Sequence, residues 1–283
     1  MPPDAPGVIP LQQPSAAMLT FAVKPVLALG WDVGGWVGRK QGVAVATFGD
    51  HGLEWRGTAA FRLADFPTPG WSLLDLLRMA WPEAPEDALE NHRVVLAIDA
   101  PLGFPRAFKK LLETGEAPPF PPDAPEIQNP LAYRDCDRHI WQTFSKKPLS
   151  ASFDKLGNNA TLAMHHARRL ARLHDARVLP FDPPDEAHHT ILEVYPALSK
   201  VPKDTCCYPP IQRFLPADSV AATDECDACI CALMALAFAM NGTRAELPPL
   251  VGPGGSCNVV DEGWIYHAAR EWLTADHGNS NSC

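Results

Sequence analysis

The hydrophobic pattern divides the chain into short apolar runs separated by glycine and proline. Val26–Val33 is mostly apolar with Asp32 near its end, and reads as a buried strand. Gly34-Gly35 marks a turn. Gly42–Phe48 and Leu53–Phe61 read as two further strands, joined by the hairpin turn Gly49-Asp50-His51-Gly52. Trp71–Trp81 has helical spacing, with Ser72 as a candidate cap and Pro82 as a stop. Val94–Ile98 is an apolar run closed by Asp99-Ala100-Pro101, the pattern of a fourth strand covered on both faces.

The middle is less regular. Arg106–Leu112 predicts a short helix, and Leu131–Phe144 and Ala160–His174 predict longer ones. Between them, Ala117–Pro130 holds six prolines and cannot form a regular element. Thr190–Val194 predicts a short strand. Asp224–Met240 is the clearest helix, nearly all apolar beyond Asp227 and stopped by Asn241-Gly242. A helix that is apolar all round is buried. The succession is a three-strand meander, a helix, a strand, an irregular insert, a strand and a helix. It predicts an α/β sheet of mixed strand direction, an antiparallel meander plus further parallel strands flanked by helices. The expected organisation is one domain over 21–274 with an insert at about 101–190, and loose tails at 1–20 and 275–283.

Several acids stand in or beside these buried elements. Asp32 closes the first strand and Asp99 the fourth. Glu193 lies in the fifth, and Asp224 and Asp227 begin the last helix, three apart and therefore on one face. A carboxylate in an apolar strand is costly unless something pairs with it. At strand ends it faces the crevice where α/β sheets bind ligands. Acids converging at one sheet edge repel each other, and a hard divalent cation such as Mg²⁺ resolves that. Taken singly, each acid also has a plain structural reading: Asp99 before Ala-Pro starts a turn, and Asp224 can cap its helix.

Composition narrows the classes. Lys plus Arg is 24 against 33 Asp plus Glu, a net charge of −9, which excludes a basic nucleic-acid coat protein. Residues 101–180 hold 12 Lys/Arg and 8 Asp/Glu, or +4, leaving 12 and 25, or −13, for the rest. The insert is therefore mildly basic. Thirty prolines exclude a long coiled coil. Met1–Thr20 lacks a secretory pattern and no run of 18 uncharged apolar residues occurs, so a soluble, cytoplasmic protein with no membrane partner is expected. Of the eight cysteines, Cys226, Cys229 and Cys231 fall in the last helix as small core residues; a zinc site built from them lacks a complementary pair.

Motifs in order resemble one family. Gly30-Trp31-Asp32-Val33-Gly34-Gly35-Trp36, Ile98-Asp99-Ala100-Pro101-Leu102-Gly103-Phe104-Pro105, Arg134-Asp135-Cys136-Asp137-Arg138, Glu193-Val194-Tyr195-Pro196, Asp224-Glu225-Cys226-Asp227-Ala228 and Glu262-Gly263-Trp264-Ile265 together resemble domain-of-unknown-function family 429. Its members are described as predicted RNase H-like nucleases. The resemblance implies an RNase H-like fold and a nuclease acting on nucleic acid or nucleotide with Mg²⁺ or Mn²⁺. Asp32, Asp99, Asp227 and Glu193 are then the candidate catalytic residues, and Asp32, Asp99, Asp224 and Asp227 the candidate metal ligands. The fourth-strand acid is an aspartate where nucleases of this fold more usually carry glutamate, and Glu193 is a candidate to compensate. Asp32-Val33-Gly34-Gly35 also resembles the phosphate loop of actin-like ATPases, which keeps a nucleotide-binding or non-catalytic binding role open. Val251–Ser256 is a second glycine-rich loop.

Candidate substrate contacts complete the reading. Arg134 and Arg138, one turn apart, can pair Asp137 or Asp135, or hold a phosphate. His165, Arg168, Arg169 and Arg172 share one helix face, either solvated or a phosphate-binding stripe. Trp36 and Trp264 can stack on bases or pack in the core.

Overall fold

Apolar residues at consecutive positions give each central strand two faces to cover, and the chain supplies helices on both. The computed structural model describes residues 24–35, 40–49, 52–119, 123–200, 207–240, 246–254 and 258–273. The strands are β1 (Val26–Asp32), β2 (Gln41–Gly49), β3 (Gly52–Phe61), β4 (Arg93–Asp99), β5 (Arg177–Val178), β6 (Thr190–Val194), β7 (Leu250–Val251) and β8 (Ile265–Ala268). The helices are α1 (Leu73–Ala80), α2 (Ala88–Asn91), α3 (Arg106–Thr114), α4 (Asp135–Phe144), α5 (Asp154–His174), α6 (Pro209–Gln212), α7 (Asp224–Ala239) and α8 (Val259–Glu262).

The strands form one eight-stranded mixed sheet in the order β3-β2-β1-β4-β6-β8-β7, with β5 also paired to β6. The meander β1-β2-β3 is antiparallel, β1-β4, β4-β6 and β6-β8 are parallel, and β7 returns antiparallel to β8. The expected mixed α/β sheet is therefore present. It extends further than expected, because β5, β7 and β8 have only two to four residues. Such pieces carry too little alternation to be read as strands.

The pleat sorts side chains into two core layers. Leu27, Leu29 and Trp31 of β1 join Val94, Leu96 and Ile98 of β4 under α1 and α5. Ala28 joins Val95 and Ala97 on the opposite face, under α7. There α7 is buried all round: Cys226, Ala228 and every residue from Cys229 to Ala237 pack in that layer. This is why its sequence lacks a polar stripe.

Local capping explains the helix boundaries. The Ser72 side chain accepts the Asp75 N–H at 3.1 Å and opens α1, as expected. Helix α4 starts at Asp135 rather than Leu131, because the Asn129 carbonyl draws Ala132 and Tyr133 into a preceding turn. Helix α5 starts at Asp154, six residues before the expected Ala160. Its polar first turns bring the Asn158 and Asn159 side chains beside Gly35, with Asn159 partly buried and Asn158 still exposed. Glu262 closes two helices at once: Oε1 accepts the Arg106 N–H at 2.7 Å and Oε2 accepts the Asp135 N–H at 2.8 Å. A carboxylate at a helix N-terminus satisfies orphan donors and the helix dipole together. Among the described residues, no helix is long and apolar enough to cross a membrane. The expected tails, 1–20 and 275–283, lie outside the described residues.

Candidate metal centre

The site follows from register. Strands β1 and β4 are parallel with Asp32 opposite Asp99, each the last residue of its strand. Asp32 follows the parity of Ala28 and Gly30, and Asp99 that of Val95 and Ala97, so both side chains are directed to the α7 face.

Two glycines then bring α7 onto the sheet backbone. A Cβ on Gly30 would stand 1.9 Å from the Ala228 carbonyl oxygen, and one on Gly42 2.1 Å from that of Asp224. Only glycine allows this approach. Thr223 caps the helix, its hydroxyl accepting the Cys226 N–H at 3.1 Å, so the cap expected of Asp224 falls one residue earlier. The first turn of α7 thereby reaches the strand ends. Asp32, Asp99 and Asp227 each present an oxygen, and all three lie within 4.8 Å of one another. Among the described residues, no other group of three or more His, Cys, Asp or Glu is so placed.

Burial and mutual repulsion mark the cluster electrostatically. Asp32 is pushed up from 3.8 to about 7, first by burial and then by the charges of Asp227 and Asp224. Burial raises Asp99 well above its ordinary value, and Asp32 and Asp227 raise it further. Asp227 is raised by burial, with Lys200 opposing. Asp224 stands outside the triad and acts on it as a neighbouring charge. Lys200 donates to Asp227 Oδ2 at 2.5 Å. Asp227 Oδ1 is buried with no hydrogen-bond partner among the described residues. Three carboxylates with a free oxygen form a hard, all-oxygen donor set that fits Mg²⁺ or Mn²⁺.

Asp32 and Asp99 open on a cleft of about 150 Å³, also lined by Arg134, Asp137, Leu149, Leu156, Asn159, Glu193 and Tyr195. Glu193 shares this cleft but not the triad. It alternates with Leu192 and Val194, which pack under α7, so the pleat turns it away from that face. Its carboxylate receives Arg134 Nη1 at 2.8 Å, Arg134 Nη2 at 2.7 Å and the Leu102 N–H at 2.8 Å. It is thus engaged elsewhere and does not stand in for a longer fourth-strand acid. Arg134 also binds Asp137, through Nε at 3.1 Å and Nη2 at 2.9 Å. The guanidinium is spent on this buried triad of charges.

The other expected contacts scatter. Arg138 pairs Asp135 at 2.5 Å and donates to the Tyr133 carbonyl. Arg168 packs over Phe181 at 4.6 Å beside Asp182, Arg169 covers Trp71 at 4.7 Å, and Arg172 and His165 are exposed on α5. Trp264 is a core residue, 2% exposed. Trp36 lies outside the described residues, as does part of the Val251–Ser256 loop. Cys226, Cys229 and Cys231 are buried in the core layer between α7 and the sheet. In the Gly34-Gly35 turn, Gln41 takes the groups a phosphate would use: Oε1 accepts the Gly34 N–H at 3.0 Å and the Trp31 indole at 3.1 Å. Asn159 Nδ2 donates to the Val33 carbonyl at 2.6 Å and braces the same turn.

Residues 30–202 match the family model described as protein of unknown function, DUF429. The chain belongs to that family. The DUF429 match takes in Asp32, Asp99, Glu193 and Lys200 and ends before Asp227. No curated protein and no solved structure matches this DUF429 protein. Lys200 was not among the residues singled out from sequence. A lone lysine after a proline turn has no pattern to announce it, and only its place shortly after Glu193-Val194-Tyr195-Pro196 points to it.

Proposed function

We propose that this DUF429 protein is a divalent-metal-dependent phosphodiester hydrolase, a nuclease, on an RNase H-like fold. The observation that carries this is the convergence of Asp32, Asp99 and Asp227 from β1, β4 and α7, with a buried Asp227 oxygen left without a partner. The strand order β3-β2-β1-β4-β6, an antiparallel meander followed by parallel strands, supports the fold assignment.

Asp32, Asp99 and Asp227 would hold Mg²⁺ or Mn²⁺, with Asp224 adding negative charge beside them. When bound, the ion would supply Lewis acidity to a phosphoryl oxygen and to the attacking water. The chain's own residues do the rest. Burial and mutual repulsion raise the proton affinities of Asp32 and Asp99, so a cation held there would compete with protons. Lys200 keeps Asp227 Oδ2 occupied and oriented. Leu149 and Leu156 give the cleft apolar lining, and the Arg134–Glu193–Asp137 network forms its buried, hydrogen-bonded side. Partners are then nucleic acid or nucleotide.

The test is cleavage of labelled single-stranded and duplex oligonucleotides by purified protein with Mn²⁺, against EDTA and against Asp32→Asn and Asp99→Asn. Both variants should lose Mn²⁺-dependent turnover. Undiminished cleavage by Asp32→Asn would remove the assignment.

A further inference from the structure

Lys200 stands beside the acidic cluster, in contact with Asp227. Its Nζ is 2.5 Å from Asp227 Oδ2, and its side chain is only 34% exposed. Its charge acts on Asp99 and Asp32 as well as on Asp227. The two oxygens of Asp227 are therefore used differently. Oδ2 takes the ammonium, whereas Oδ1 is buried without a partner among the described residues. The charges also count out unevenly. The three aspartates and the neighbouring Asp224 carry −4 when ionised, and Lys200 brings the group to −3. One divalent ion leaves −1, and a second would turn the half-buried site positive.

We infer that Lys200 is a built-in cation occupying the place of a second metal ion, so that the centre takes a single divalent ion between Asp32, Asp99 and Asp227 Oδ1. This deepens, and rests on, the metal-centre reading above. Lys200 is then a positioning residue. It fixes the carboxylate plane of Asp227 through one oxygen and sets the ion count by repelling a second cation.

The experiment is a Mn²⁺ titration of the full chain, read by calorimetry and by the electron paramagnetic resonance of free Mn²⁺, neither of which depends on turnover. The wild-type protein should bind one Mn²⁺ per chain. Lys200→Met should bind its first ion at least about tenfold tighter, because a like charge has left, and should take up a second. Lys200→Arg, which keeps the charge, should stay at one. Two ions in the wild type, or a Lys200→Met titration identical to wild type, would overturn the inference while leaving a metal centre in place. If Lys200→Met fails to fold, the wild-type count still decides, one ion for and two against. Asp32→Asn separates the two readings: wild type binding no Mn²⁺, or Asp32→Asn binding as wild type does, would remove the centre itself and this inference with it.

Discussion

Asp32→Asn should stabilise the metal-free protein. Asp32 is held with a proton affinity raised from 3.8 to about 7 by burial and by Asp227 and Asp224. Below pH 3.8 the carboxyl is neutral in both folded and unfolded chains, and its contribution to stability is fully present. As the pH rises, the unfolded chain ionises first, and stability is lost until the folded carboxyl also ionises near pH 7. At 1.36 kcal/mol per tenfold in proton affinity, the gap amounts to at most about 4 kcal/mol. Solvent at the cleft screens part of this, so we expect about 1–3 kcal/mol. In a chain of this size that is a rise of roughly 2–6 °C in Tm. An asparagine keeps the shape and never ionises. In EDTA the variant should therefore melt with wild type near pH 4 and above it at pH 8, by differential scanning fluorimetry. Mn²⁺ at about a hundred times its Kd should add about 2.7 kcal/mol to wild type and leave the variant unmoved, narrowing or reversing the order. A variant less stable than wild type at pH 8 in EDTA, or a difference that does not change with pH, would refute the reasoning.

Further outcomes follow from the same geometry. Arg134→Met strands Glu193 and Asp137 as buried unpaired acids, and urea unfolding should show a loss of about 3–5 kcal/mol. Glu193→Gln should lower stability yet leave Mn²⁺ affinity at the wild-type value, whereas Asp99→Asn should abolish Mn²⁺ uptake; calorimetry distinguishes the two. Gly30→Ala places a methyl 1.9 Å from the Ala228 carbonyl oxygen. It should destabilise by about 3 kcal/mol or more and also lose Mn²⁺ affinity, because α7 carries Asp227 away from Asp32. Glu262→Gln removes the charge shared by the N-termini of α3 and α4 and should cost about 1–2 kcal/mol in urea unfolding.

The central sheet and the triad were legible because both rest on strong local signals. Apolar runs ending in Asp32 and Asp99 gave two strands with acids at their tips, and the apolar helix with Asp227 in its first turn gave the third. The pleat sense of Glu193 was not legible, since it depends on which neighbours cover β6. Nor was the partner of Arg134: two acids at helical spacing offered themselves, and the strand acid 59 residues away completed the network. Strand β8 escaped because four residues carry no readable period. Lys200 escaped because its role comes from the tertiary placement of a loop. The glycines of β1 and β2 were visible, but their purpose, admitting the backbone of α7, appears only when helix and sheet meet.

The double cap by Glu262 has a bearing on the order in which the molecule is finished. Its two bonds span 156 and 127 residues, to Arg106 and Asp135. During synthesis residue 262 also follows every acid of the cluster, the last of which is Asp227. The aspartates can assemble once α7 has docked, but α3 and α4 gain their shared latch only when residue 262 has been synthesised. A nascent or C-terminally clipped chain would thus hold the acids before the cleft beside them is secured. Competence to take a cation should precede competence to grip a substrate, and limited proteolysis of such a chain should open the insert first.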